Sequence, residues 1–302
     1  MAPSITLACA LLDPRFAPPT PPPPEALRAP SAIGRLVVAG GGAILGAELG
    51  VAFAALDDDR PRAQLALGGA GLGAALGLAA SWDLSPPAGA GVAALSVAQW
   101  GIVGGALAGW AVADTAEEED DESRRAAQGA LFGGAFGGLL GVVALHRTRP
   151  TVGTVAAIDA LGAGGCTAAV LISRVLDPPS DGAHAVRCLV GAAGGLAIGA
   201  WGAPEWEATA RRTGWVSLGA AIGASSALLV APLLADDETD IDERAVAGLA
   251  LAGLTTGGVY AWYWTIDPDE TPGDAAVLAP RPTILAGARG AVPGIAVQGW
   301  MW

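Results

Sequence analysis

Two carboxylates stand inside long apolar stretches, Glu48 in LGAELGVAF and Asp159 in VAAIDALGAG. An ionisable group in such a place is expensive to hold and counts by default as a functional hypothesis. The chemistry a pair of this kind offers is passage of a proton or a cation, each carboxylate taking up the ion and releasing it. A plainer reading competes and takes precedence on sequence alone: a shift of each stretch by one turn would leave the carboxylates at an interface, or protonated against a neighbouring helix. Gln99, Gln128, Ser225, Ser226, Thr255 and Thr256 are cheaper to bury, and are expected to bond across helices or to line such a path.

Other reactive side chains are few. Cys9, Cys166 and Cys188 are spaced neither as a disulfide framework nor as a zinc site. Cys166 and Cys188 lie in apolar surroundings and read as small buried hydrophobes. His146 and His184 have no second His or nearby Cys at metal-ligand spacing, which leaves surface or interfacial roles for both. The sequence contains no GxGxxG, Walker loop, HExxH or GxSxG. No catalytic residue, metal site or cofactor is therefore assigned, and enzymes are the least supported class.

The elements that would position Glu48 and Asp159 are eight apolar stretches, at about 33–56, 63–81, 88–113, 126–145, 151–176, 184–203, 214–235 and 244–265. Each is about as long as the roughly 20 apolar residues that cross a bilayer as a helix. The whole chain agrees, with 52% hydrophobic and 15% charged residues in 302 and a mean hydropathy of +0.48. That charged share is well below the quarter usual in soluble domains. All sixteen basic residues are Arg, and 29 acidic residues bring the net charge to −13, a balance that excludes nucleic acid as a partner. The partner expected is the lipid bilayer, with a homo-oligomer as the further expectation.

Glycine is arranged in lines. Gly129, Gly133, Gly137 and Gly141 recur every fourth residue, as do Gly42, Gly46 and Gly50; Gly69, Gly73 and Gly77; Gly101, Gly105 and Gly109; and Gly191, Gly195 and Gly199. Shorter pairs are Gly219 with Gly223 and Gly253 with Gly257. In water each mid-helix Gly costs about 1 kcal/mol relative to Ala. In hydrocarbon the helix is enforced by backbone hydrogen bonding, and a bare stripe lets another helix approach closely. The pattern resembles glycine-zipper membrane segments and implies helix packing as the role of these glycines.

Segments that follow acidic runs, such as DDDRPRAQLALGG and EEDDESRRAAQGALFGG, alternate with segments that follow Pro or Trp punctuation, at a period of about 60 to 65 residues. The expected architecture is an all-α integral membrane bundle of eight helices, built from repeated GxxxG hairpins. An outer-membrane barrel is the alternative fold, but the stretches offer Ala, Leu and Gly without a polar lumen face. Ser85-Pro86 reads as an N-cap and first helical residue. Trp82, Trp201, Trp206, Trp215, Trp262 and Trp264 lie at segment ends as interfacial anchors, while Trp100 and Trp110 are placed to fill space opposite glycine.

Three parts follow: residues 1–30, an apolar segment read as a candidate signal peptide with a Pro-rich linker; 31–265, the membrane domain; and 266–302, a Pro- and Gly-punctuated tail suited to a short hairpin. The acidic loops share one face and the termini the other. Nine Arg lie on the termini face and seven on the acidic face, a slight lean toward cytoplasmic termini. The function expected is structural, packing or assembly within a membrane, the inner membrane being favoured. The rivals are a channel or transporter through Glu48 and Asp159, and an exported envelope or outer-membrane protein.

Overall fold

The computed structural model describes residues 32–56, 62–84, 86–113, 120–147, 150–176, 181–203, 206, 209–230, 243–265, 277–287 and 290–300. The amino-terminal segment with its proline-rich linker, most of the acidic loops and Ser85 lie outside these residues. Eight helices follow in order: α1 (Ala32–Ala54), α2 (Arg62–Leu84), α3 (Ala88–Ala113), α4 (Asp120–Arg147), α5 (Val152–Leu176), α6 (Asp181–Gly202), α7 (Ala210–Val230) and α8 (Glu243–Trp264). Two strands, β1 (Val277–Gly287) and β2 (Gly290–Trp300), pair antiparallel with Val277 opposite Trp300. The tail thus adds a β-hairpin to a helical bundle, with β1 beside α7 and α5.

Helix starts follow local chemistry. Three helices begin at an acidic residue of the sequence, Asp120, Asp181 or Glu243. This carries α4 back to Asp120, six residues before the start expected from hydrophobicity alone. The expectation that Pro86 is the first helical residue is corrected as well, while Ser85 lies outside the described residues. Pro86 and Pro87 precede α3, and the Pro87 carbonyl accepts from the Gly91 N–H at 3.1 Å. A residue before proline is pushed out of the helical region, so Pro86 stays outside and the helix begins after Pro87. Thr151 and Thr209 cap α5 and α7, their hydroxyl oxygens accepting from the N–H groups of Thr154 and Arg212 at 3.1 and 3.2 Å.

Each helix packs chiefly against its neighbour in sequence, giving four antiparallel hairpins: α1·α2, α3·α4, α5·α6 and α7·α8. Between hairpins the same neighbours recur. Helix α1 touches α3 and α4, α3 touches α5 and α6, and α5 touches α7 and α8. Helix α3 is the most enclosed and joins three apolar clusters: Val37, Val92, Leu95 and Val155; Ala52, Ile102, Ala106 and Ala130; and Val103, Leu107, Ala185 and Cys188.

The outer faces are apolar too. Leu67, Leu72 and Leu76 on α2, Phe132, Phe136 and Leu139 on α4, and Val259, Tyr260 and Tyr263 on α8 are exposed. Large exposed apolar patches are not characteristic of soluble monomers. Among the described residues, seven helices are long and apolar enough to cross a membrane. Helix α7 is not among these seven, and the apolar stretch expected at 214–235 runs past Val230 into residues outside those described. The chain has the helices of an integral membrane protein.

Candidate functional site

Both buried carboxylates, Glu48 and Asp159, meet donors on one turn of α3. Ser96 and Trp100, four residues apart, share a face toward α5. Gln99 lies about 100° round the helix, toward α1. The Ser96 hydroxyl and the Trp100 indole N–H both donate to Oδ1 of Asp159, the latter at 3.0 Å. The Gln99 amide Nε2 donates to Oε2 of Glu48 at 2.7 Å. Asp159 is 1% exposed and Glu48 7%. Both carboxylates are therefore drawn inside the bundle against α3, away from a lipid-facing position. A side chain of Gln, Ser or Trp gives each a hydrogen-bond donor, the requirement for burying a polar group without full desolvation loss.

Trp100 also fills space. A Cβ on Gly162 would stand 2.6 Å from its ring carbon Cζ2, so the missing side chain at Gly162 admits the indole that reaches Asp159. The other small polar residues do not join this cluster. Gln128, Ser225, Ser226, Thr255 and Thr256 are exposed. The Thr255 hydroxyl donates to carbonyls of its own helix, Leu251 and Ala252, both at 3.0 Å. The expectation of cross-helix bonds holds for Gln99 and fails for Thr255, because a Thr hydroxyl in a helix is satisfied by the preceding turn.

The glycines named from the sequence lie where paired helices meet. A Cβ on Gly46 would overlap the Gly69 carbonyl oxygen, and one on Gly69 the Gly46 oxygen. The same reciprocal relation joins Gly42 with Gly73, Gly105 with Gly129, and Gly101 with Gly133. At the ends of these lines, Gly50 meets Leu65, Gly77 meets Val38, Gly109 meets Arg125, Gly137 meets Gly101 and Val97, and Gly141 meets Ala94. In the third hairpin Gly191 meets Gly165, Gly195 meets Leu161, and Gly199 meets Ile158. Gly223 with Gly253 and Gly219 with Gly257 close the fourth. The pairs Gly46·Gly69, Gly105·Gly129, Gly165·Gly191 and Gly223·Gly253 are each displaced by about 60 residues from the one before.

No family model, curated protein or solved structure matches the chain. Geometry alone carries the reading.

The cysteine expectation is overturned. Cys166 on α5 and Cys188 on α6 form a disulfide, with Cα atoms 4.0 Å apart. The reason is the register of the third hairpin. One residue forward from Gly165 and three back from Gly191, whose backbones touch, lie Cys166 and Cys188. Their apolar surroundings, with Val103, Leu107 and Val170, are as the sequence indicates, but the close approach makes them partners. The signal that could have found the pair is this hairpin register, which aligns residues far apart in sequence.

All six segment-end tryptophans fall at one end of the bundle, because all four hairpins point the same way. Trp82, Trp201, Trp262 and Trp264 lie at the carboxyl-terminal ends of α2, α6 and α8, Trp215 lies near the start of α7, and Trp206 lies in the α6–α7 connection. Two receive an arginine over the ring: Arg35 stands 5.8 Å from the Trp82 centroid and Arg212 3.7 Å from that of Trp262. A guanidinium on an aromatic face is an arrangement suited to the water–lipid boundary.

Proposed function

We propose that the protein is a non-enzymatic packing and assembly element of a membrane, of the glycine-zipper kind. The observation that supports this is the reciprocal glycine contact in each of the four hairpins. Helices in lipid gain little from hydrophobicity alone and associate through close van der Waals contact, which backbone-to-backbone approach maximises. The outer apolar faces give the bundle lipid on its flanks, and through them contact with further copies or other membrane helices.

A second reading is favoured by one specific observation, the two buried carboxylates anchored on a single turn of α3. In this reading Glu48 and Asp159 are stations for a proton or cation. One experiment separates the two. Purified protein is reconstituted in proteoliposomes, and proton and cation flux is followed with entrapped dyes. The packing role predicts flux equal to that of protein-free vesicles. Flux that disappears in the Glu48→Ala, Asp159→Ala double variant would replace the packing role by the path.

A further inference from the structure

We infer that the end of the bundle carrying the acidic loops faces the oxidising, non-cytoplasmic side of the membrane. The inference rests on the membrane-spanning reading and on the depth of the Cys166–Cys188 bond. Cys166 lies ten residues before the end of α5 at Leu176, and Cys188 seven residues after the start of α6 at Asp181. At 1.5 Å per residue these are depths of about 15 and 10 Å from the acidic end. From the opposite end, at Val152 and Gly202, both cysteines lie about 21 Å deep. The sulfurs belong to the acidic half of the bundle.

Disulfides persist where the compartment is oxidising and are reduced in the cytosol. The chemistry requires an oxidant on the acidic side, here the disulfide of a thiol–disulfide oxidoreductase. One cysteine thiolate attacks that disulfide, forming a mixed disulfide and expelling an oxidoreductase thiolate. The second cysteine then attacks the mixed disulfide, closing Cys166–Cys188 and releasing the enzyme as a dithiol. Two electrons and two protons leave the cysteine pair, and the oxidoreductase takes both. The exchange precedes full packing of the α5·α6 hairpin, while the two sulfurs are still within reach of the acidic side.

The test labels the full chain in intact cells. Single cysteines are placed at each end, Thr239→Cys in the acidic loop and Ala208→Cys in the α6–α7 connection, and exposed to a membrane-impermeant maleimide. In parallel, wild-type cells are treated with N-ethylmaleimide before lysis, and the alkylation of Cys166 and Cys188 is read by mass spectrometry with and without prior reduction. The orientation predicts labelling of T239C in intact cells, of A208C only after permeabilisation, and alkylation of Cys166 and Cys188 only after reduction. Labelling of A208C but not T239C in intact cells, or alkylation of Cys166 and Cys188 without reduction, would overturn it. Equal labelling of the two ends under all conditions would instead remove the membrane crossing on which the orientation rests.

Discussion

At the residue scale, Asp159 has the most to lose by substitution. Its Oδ1 accepts from both Ser96 and Trp100, so Asp159→Ala leaves two donors without their acceptor inside the bundle. An orphaned buried group costs about 1–3 kcal/mol. Measured interhelical hydrogen bonds in membranes average nearer 0.6 kcal/mol, which sets the lower bound. Asp159→Ala is therefore expected to lower the thermal midpoint in detergent, and Asp159→Asn, which keeps an acceptor oxygen, to lower it less. Equal loss in both variants would show that the bonds to Ser96 and Trp100 do not hold α5 to α3. That Asp159 and Glu48 are buried was legible from their apolar surroundings. Their partners were not, since those bonds join residues 63 and 51 apart in sequence and depend on how separate hairpins align.

At the scale of elements, glycines in the four-residue lines differ from a glycine outside them. Gly105 sits where a Cβ would overlap the Gly129 carbonyl and stand 3.0 Å from the Gly133 Cα, whereas Gly71 on α2 has open space around its missing side chain. Gly105→Ala forces α3 and α4 apart and is expected to cost about 1–3 kcal/mol, as overpacking does. Gly71→Ala is expected to be neutral or mildly stabilising, because Ala is the better helix former. Chemical or thermal unfolding in mixed micelles compares the two; similar losses would contradict the contact geometry.

Helix positions were readable because runs of Ala, Leu and Gly of bilayer length are bounded by acidic residues, Pro and Trp. The start of α4 misled, however, since hydrophobicity placed it after Asp120, Asp121 and Glu122, which the helix includes. The disulfide escaped for a related reason: cysteine spacing in sequence carries no information on an antiparallel register that touching glycines impose.

At the scale of the whole molecule, four hairpins with a common direction gather the segment-end tryptophans at one end and leave the acidic loops at the other. The interior is packed by small residues around α3, and the periphery presents Leu, Phe, Val and Tyr outward. Such a surface is stable only where its surroundings are as apolar as itself. The account therefore stands or falls on embedding in a bilayer. Alkaline carbonate treatment of membranes from expressing cells tests this most directly, because it strips peripheral proteins and leaves spanning ones in place. The account predicts that the full chain stays in the membrane pellet and is released only by detergent; recovery of monodisperse protein in the carbonate supernatant would contradict it.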